Sequence, residues 1–103
     1  MAIYLFSAID PQGRMVQLSE DCYTSHILEE HPDISDFNDI AKTIEMPDYI
    51  AQDTIDMERL VYYRTYRRRP QHWMLKVVVE RDEVVTTYRV KRLKQGEVLI
   101  WQR

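Results

Sequence analysis

The stretch His72-Trp73-Met74-Leu75-Lys76-Val77-Val78-Val79 is the most apolar run in the chain. Its three consecutive valines favour a central strand with both faces covered, because such a strand needs apolar side chains on each side. Residues 59–66, 84–91 and 97–101 are also rich in strand-forming side chains. Polar segments separate these stretches, so the second half of the chain predicts a four-stranded antiparallel meander.

The first half of the chain predicts a β-hairpin followed by two helices. Residues 3–9 and 14–18 suit two strands, and Asp10-Pro11-Gln12-Gly13 between them is a typical turn sequence. Apolar side chains at helical spacing predict one helix over residues 20–30 and a second helix that ends near residue 45. The candidate N-caps are Ser19 for the first helix and Asp33 or Ser35 for the second.

Length and composition favour one globular domain over residues 1–103. Apolar residues make up 45% of the sequence, which is enough for one core and too little for two. We therefore expect an α+β fold, in which the N-terminal β-hairpin and the two helices pack on the C-terminal antiparallel four-stranded meander. The single cysteine, the lack of an apolar run of membrane-spanning length and the lack of a basic leader predict a cytoplasmic protein without a membrane partner.

The net charge of −3 conceals a strong asymmetry along the chain. Residues 1–58 carry a formal charge of −11, whereas residues 59–103 carry +8. A basic half of this kind attracts phosphate groups. The alternative is that the acidic helices lie against the basic sheet and neutralise it, and the charges alone leave both open.

Two histidines are candidates for proton transfer near neutral pH. His26 lies within the first predicted helix and His31 at its end. Their spacing is not the i, i+4 spacing of a helical metal pair, and the sequence contains no HExxH motif and no glycine-rich phosphate loop. Neither a metal nor a cofactor is therefore expected. The alternative for each histidine is an exposed or helix-capping role without chemistry.

Lys76 interrupts the apolar strand, so it must face an open polar or anion-binding surface or extend to the edge of the sheet. Its neighbours on the next strand depend on the register of the pairing. A symmetric turn places it opposite Thr87, with Thr86 and Tyr88 on the other face. A one-residue bulge instead brings Thr86 and Tyr88 to the face of Lys76, and the sequence leaves both registers open.

Two clusters of basic residues, interleaved with aromatic and apolar ones, lie in the second half of the chain. Arginine binds a phosphate through two parallel N–H donors, and tyrosine provides a ring on which bases stack. This pattern therefore favours binding of single-stranded RNA. Exposed strand edges are also often basic for solubility alone. The predicted RNA-binding residues are Arg64, Arg67, Arg68, Arg69, Arg89 and Arg92.

Several short motifs, taken in order, resemble one known family. They are His26-Ile27-Leu28-Glu29-Glu30-His31-Pro32, Ile44-Glu45-Met46-Pro47-Asp48-Tyr49-Ile50, Leu75-Lys76-Val77-Val78-Val79, Thr86-Thr87-Tyr88 and Lys94-Gln95-Gly96-Glu97-Val98-Leu99-Ile100-Trp101. Together they are similar to motifs of the phage-type members of the barnase–EndoU–colicin–RelE-like nuclease superfamily, over about residues 16–101.

The resemblance implies two helices on a four-stranded antiparallel sheet whose face forms a metal-free ribonuclease site. It implies that His26 and His31 are the acid and base candidates. It also implies that Lys76 supplies positive charge, and that Thr86 and Tyr88 form a Thr-x-Tyr pair that hydrogen-bonds to the phosphate.

The leading hypothesis is a metal-independent endoribonuclease, such as the toxin of a toxin–antitoxin pair or an effector of a phage or defence system. Its expected partners are RNA and a cognate antitoxin or immunity protein, and a homodimer is also considered. The first alternative is a non-catalytic module that binds RNA or an acidic protein through its arginine-rich edge. The second is a protein-interaction domain, whose sign would be an exposed aromatic patch that includes Tyr66 and Trp101.

Overall fold

The computed structural model describes residues 2–68 and 71–103, and it describes side chains in the same ranges except at positions 67, 68 and 71. Seven strands are present in these ranges: β1 Tyr4–Ile9, β2 Met15–Ser19, β3 Tyr49–Gln52, β4 Arg59–Arg68, β5 Gln71–Glu80, β6 Glu83–Val90 and β7 Val98–Gln102. They form one mixed sheet in the order β1-β2-β6-β5-β4-β3-β7.

The first helix, α1, covers residues 20–30 and has a π-helical segment, Tyr23–Ile27, between two α-helical turns. Ser19 begins it as predicted, because its Oγ accepts a hydrogen bond from the backbone N–H of Cys22 at 3.1 Å. Tyr23 and Ile27 are buried on the side that faces the sheet. Within the described residues, no helix has the length and apolar character to cross a bilayer.

The second helix, α2, is Phe37–Glu45. Its N-cap is Asp36, whose Oδ1 accepts a hydrogen bond from the backbone N–H of Asn38 at 2.9 Å. The predicted caps Asp33 and Ser35 are therefore wrong, because they lie before the observed cap. Ile34 is buried ahead of the helix and does not belong to it. Ile40 and Ile44 face the sheet and are fully buried.

The predicted α+β division into a hairpin, two helices and a four-stranded meander is wrong, because all seven strands belong to one sheet. β2 pairs with β6 in parallel at Gln17 opposite Glu83, so the N-terminal hairpin extends the sheet instead of packing on it. β3, which the sequence analysis did not predict, pairs with both β4 and β7. Three strands therefore lie between β7 and β6, the strand that β7 would adjoin in a meander.

The segment 91–97 explains why β7 does not pair with β6. It crosses the face of the sheet opposite to the helices, where Leu93 packs and the backbone N–H of Lys94 lies 3.5 Å from the hydroxyl of Tyr63. Gly96, with a φ of 89°, then turns the chain into β7. Covering this second face removes apolar surface from water that a plain meander would leave exposed.

Side chains of the central strands alternate between two cores. The main core lies between the helices and the sheet and includes Leu75, Val77 and Val79 of β5. On the other face is a smaller group, here called the second-face cluster: Ala51, Val61, Tyr63, Met74 and Val78. Both faces of β5 are thus covered, as its apolar sequence predicts. Lys76 lies on the second face.

A β-bulge sets the register between β5 and β6. Val79 pairs with Val84 but Val78 pairs with Thr86, so one residue of β6 between these pairs has no partner of its own. Beyond the bulge, Lys76 pairs with Tyr88. The symmetric register is therefore wrong and the bulged alternative is confirmed, which places Thr86 and Tyr88 on the face of Lys76.

The predicted turn at Asp10-Pro11-Gln12-Gly13 is confirmed, and its first residue is tied to the sheet. Asp10 is buried and accepts hydrogen bonds from the backbone N–H groups of Gln12 and Arg14, from the Arg14 guanidinium, and from the Tyr62 hydroxyl at 2.6 Å. Burial alone would raise the pKa of Asp10, but these donors outweigh it and lower the pKa below its usual value. The hairpin turn is thereby fixed to β4.

Candidate functional site

Lys76 is buried at 4% exposure and forms an ion pair with Glu97, with 3.3 Å between Nζ and Oε2. Glu97 belongs to the segment that crosses the second face, and its side chain is also buried. The ammonium further lies over the rings of Tyr63 and Tyr88, at 5.5 and 5.6 Å from their centroids. Lys76 thus faces neither an open surface nor the sheet edge, because the crossing segment provides its counter-charge.

Tyr63 completes this buried group, since its hydroxyl donates a short hydrogen bond to Oε1 of Glu97. Burial and that hydrogen bond raise the pKa of Tyr63 to about 12. For Lys76, burial lowers the pKa, but the neighbouring Tyr63 oxygen and the Glu97 carboxylate outweigh it, so the pKa lies above its usual value. Lys76 is therefore a charged ammonium at neutral pH that is already neutralised inside the protein.

His31 reaches the same group from the end of α1. Its ring stacks on Tyr88, with 5.6 Å between centroids and 27° between the planes. Tyr88 is half-buried and lies between His31 and the Lys76 ammonium. Thr86, also half-buried, follows on the same face of β6, opposite Val78. The structure therefore brings His31, Tyr88 and Lys76 into one row of contacts, and Thr86 lies on the same face of β6 as Tyr88.

The fifth, His26, lies apart from that row. It is exposed on the outer side of α1, and its Nδ1 is 3.5 Å from Oε1 of Glu30 one helical turn later. The side chains that surround the Lys76 ammonium are those of Tyr63, Tyr88 and Glu97, and His26 is not among them. His26 therefore makes no contact with the buried group around Lys76.

Thr87, the neighbour of the predicted pair, has a structural role. It is fully buried on the main-core side of β6, and its Oγ1 donates a hydrogen bond to the backbone oxygen of Lys76 at 2.7 Å. This bond fixes the bulged register, because it joins β6 to β5 next to the Lys76–Tyr88 pair.

A stack of two aromatic rings and two guanidinium groups runs across β4, β5 and β6 on the main-core side. Tyr66 and Trp73 are paired across strands and stack at 4.7 Å with 11° between their planes. Arg89 lies over Trp73 at 4.2 Å, and Arg64 lies 5.8 Å from the centre of Tyr66. We call these four residues the cation–aromatic stack.

Both arginines of the stack also have fixed polar partners. Arg89 forms an ion pair with Asp33, with 3.0 Å between Nε and Oδ2. Arg64 donates from an Nη atom to the backbone oxygen of Met46 at 2.6 Å. The alternative that acidic residues of the first half neutralise the basic sheet therefore applies to Arg89. Both arginines of the stack are held by these partners, and they cover the two aromatic rings.

Many basic residues, including both arginines of the stack, lie at one end of the sheet, here called the basic end. β4 ends, β5 begins and β6 ends there, since Thr65, Met74 and Val90 lie in one row across these strands. The basic residues beyond or beside that row are Arg64, Arg67, Arg68, Arg89, Lys91 and Arg92. The predicted RNA-binding residue Arg69 lies outside the described residues, and only the backbone of Arg67 and Arg68 is described.

The two ends of the sheet differ in how their cations are paired. At the end opposite the basic end, Arg59 pairs with Asp56 and Glu80, and Arg81 pairs with Glu58. In the part of the chain that the structure describes, Lys91 and Arg92 are exposed and take part in no ion pair. The positive charge of the basic end is therefore available to an external anion.

A cleft of about 500 Å³ opens at the same end, beyond β4. Its lining residues are Asp48, Tyr49, Arg64, Thr65, Gln102 and Arg103. They come from the start of β3, from β4 and from the end of β7, which the sequence analysis could not place side by side because it did not predict β3. The cleft adjoins the cation–aromatic stack through Arg64.

Cys22 shows no sign of a reactive thiol. It is half-buried, and its Sγ donates to the backbone oxygens of Val84 and Val85 at 3.2 and 3.6 Å. Burial, with a smaller effect of Glu83, raises the pKa of this thiol. No group of three or more His, Cys, Asp or Glu side chains within residues 2–68 and 71–103 is arranged to hold a metal ion.

The exposed aromatic patch expected of a protein-interaction domain is not formed by the predicted residues. Tyr66 and Trp101 are both half-buried and pack against the main core. Tyr66 is covered further by Trp73 on one side and donates its hydroxyl to the backbone oxygen of Asp39. Tyr66 and Trp101 therefore give no support to the hypothesis of a protein-interaction domain.

Comparison of the chain with protein-family models, with curated proteins and with solved structures found no match. The resemblance to the nuclease superfamily therefore stays a prediction, and so do the roles that it implies for individual residues.

Sequence reasoning missed three residues that matter most in this region. Glu97 was not expected beside Lys76, Trp73 was not placed on Tyr66, and Asp48 was not placed in a cleft. The available signal for the first was a buried lysine in an apolar strand, which requires a carboxylate from elsewhere in the chain. The sequence contains 17 acidic residues, so that requirement alone does not select Glu97.

Proposed function

We propose that this protein binds single-stranded RNA through its basic end without cleaving it. The observation that carries the proposal is the contrast between the two sheet ends. Among the described residues, Lys91 and Arg92 at the basic end are exposed without an ion pair, whereas Arg59 and Arg81 at the other end are paired. Such cations bind phosphates by releasing the counter-ions that surround a nucleic acid. RNA is preferred over a protein partner because the cleft at the same end has the ring of Tyr49 in its wall, so that an aromatic group for a base lies near cations for phosphates.

The state of Lys76 supports binding over cleavage. Stabilising the charge of a phosphorane needs a cation that can approach the phosphate oxygen. Lys76 is buried, and its charge is already compensated by Glu97 at 3.3 Å. Releasing it would leave Glu97 as an unpaired buried carboxylate, which is costly.

The binding test compares two exposed arginines at opposite ends of the sheet. Arg92→Gln removes a cation from the basic end, and the matched control Arg81→Gln removes one from the other end. We expect fluorescence anisotropy with a labelled 12-nucleotide RNA to show several-fold weaker binding for Arg92→Gln and unchanged binding for Arg81→Gln. Equal weakening in both variants, or no binding of RNA by the unaltered protein, would show that the basic end has no such role.

A second candidate function is metal-independent RNA cleavage at the row formed by His31, Tyr88 and Lys76. The β-bulge favours it, since this register brings Thr86 and Tyr88 to the face of Lys76 and next to His31. The two candidates differ in a simple experiment with RNA in the presence of a metal chelator. Intact RNA after long incubation agrees with binding alone. Fragments that disappear with His31→Ala, but not with Arg81→Gln, would establish the second candidate instead.

A further inference from the structure

The cleft at the basic end combines both signs of charge with an aromatic side chain. Tyr49 is half-buried at its wall, Arg64 and Arg103 bring guanidinium groups, and Asp48 brings a carboxylate. A volume of about 500 Å³ is within the range of small-molecule sites and exceeds what a bare phosphate needs. The composition therefore suits a ligand with an anionic part, a flat part and hydrogen-bond donors.

Asp48 is fixed in place but retains acceptor capacity. Its Oδ2 accepts a hydrogen bond from the backbone N–H of Thr65 at 2.6 Å, which sets the orientation of the carboxylate. Its Oδ1 lies 3.7 Å from an Nη atom of Arg103, a distance too long for a hydrogen bond. The Asp48 side chain remains about a quarter exposed, so a ligand can reach the free oxygen.

Arg64 brings a second cation to the cleft. It lines the cleft next to Thr65, and one of its Nη atoms donates to the backbone oxygen of Met46. Among the described residues it takes part in no ion pair, so no carboxylate neutralises its guanidinium group. An anionic group in the cleft would provide that counter-charge.

We infer that this cleft binds one nucleotide unit of the RNA, with an amino-bearing base on Asp48 and a phosphate on Arg64 and Arg103. The inference rests on the proposed RNA binding and assigns it a base preference. A carboxylate accepts hydrogen bonds from the exocyclic amino group of cytosine, adenine or guanine. Uracil has a carbonyl oxygen where cytosine has its amino group, so it offers the carboxylate only its ring N3–H. A bare anion fits less well, because Asp48 would oppose it without any compensating donor.

The test uses two mononucleotides that differ at one position, cytidine 5′-monophosphate and uridine 5′-monophosphate. Titration is followed by the amide signals of the ¹⁵N-labelled protein, with inorganic phosphate as a third probe. We expect the cytidine nucleotide to bind at least about 5-fold more tightly than the uridine nucleotide, by one added hydrogen bond to a charged group. The largest shifts should occur at residues 48, 49, 64, 65, 102 and 103.

Two variants separate the base contact from the phosphate contact. Asp48→Asn keeps an oxygen for the N–H of Thr65 but loses the carboxylate, so the preference for cytidine over uridine should vanish. Arg103→Gln is at an exposed position and should weaken both nucleotides equally. The amide spectrum of each variant shows whether it is folded, and Arg103→Gln also tests the cleft if Asp48→Asn does not fold.

The outcomes distinguish this inference from the function on which it rests. Equal binding of cytidine, uridine and inorganic phosphate, or shifts away from the cleft, would overturn the base pocket. If RNA binding still depends on Arg92 in that case, the basic end binds RNA and only the pocket is refuted. If RNA binding does not depend on Arg92 and the cleft shows no preference among the three probes, both proposals are refuted.

Discussion

Lys76 illustrates how one side chain depends on a contact far away in the sequence. On its own strand it is an ammonium between apolar neighbours, a position that is unfavourable unless a carboxylate accompanies it. Glu97, 21 residues later, provides that carboxylate, and Tyr63 uses its hydroxyl to hold the second oxygen. The three side chains satisfy one another only as a complete set.

Removing the carboxylate of this set should be strongly destabilising. We expect Glu97→Gln to lower the free energy of unfolding by about 3 kcal/mol, since it leaves Lys76 buried without a counter-charge. The double variant Lys76→Met with Glu97→Gln should recover most of this loss. Urea denaturation of the two variants and of the unaltered protein measures the difference, and additive losses in the double variant would contradict the pairing.

Asp10 makes the stability of the hairpin turn depend on pH. Its pKa is lowered in the folded protein, so the ionised form contributes stability above the ordinary carboxyl pKa, and this stability is lost as the pH falls through the folded value. We expect urea denaturation at pH 6 and at pH 2.5 to show a smaller decrease for Asp10→Asn than for the unaltered protein. An equal decrease in both proteins would mean that Asp10 is not responsible.

At the scale of elements, β2 pairs with the start of β6, and α1 lies along the rest of β6. β2 pairs with β6 only at Gln17 and Glu83, and the Cys22 thiol then donates to backbone oxygens of β6 near the bulge. His31 at the other end of α1 stacks on Tyr88 further along β6. The helix therefore covers backbone that would otherwise be an open sheet edge.

The thiol contact predicts a slow reaction of Cys22. Burial raises the pKa of the thiol, so little thiolate is present at pH 7.4, and α1 must move before a reagent can reach the sulfur. We expect a chromogenic disulfide reagent to label the native protein far more slowly than the same protein in denaturant. Labelling at equal rates would show that α1 does not stay on β6.

For the whole molecule, the main feature is the separation of charge. The acidic first half and the basic second half cancel only where they meet, as at Arg89 and Asp33, while the basic end keeps exposed cations. A net charge of −3 therefore does not describe the field that a nucleic acid meets on approach to that end.

Salt should weaken RNA binding in proportion to the number of phosphates contacted. For single strands, the logarithm of the binding constant falls by about 0.7 per phosphate for each tenfold increase in salt. We expect anisotropy titrations between 50 and 200 mM NaCl to give a slope that is about 0.7 shallower for Arg92→Gln than for the unaltered protein. A slope that does not change would place Arg92 away from the bound strand.

The sequence by itself determined the local elements. Hydrophobic pattern, caps and turn residues identified both strands of the N-terminal hairpin, α1 from Ser19, and the three long strands, because these depend on neighbours in the chain. The tertiary structure decided how they join. The parallel contact of Gln17 with Glu83, the short strand β3 and the crossing of residues 91–97 all pair residues distant in sequence.

The same division applies to the candidate site. The residue types were visible in the sequence: histidines, a lysine in an apolar strand and clustered arginines. Which of them meet was decided by one unpaired residue in β6 and by the place where Glu97 folds back, since a shift of one residue exchanges the faces of a strand. The energies that select this arrangement come from burial and charge pairing across the sheet, which only the folded chain contains.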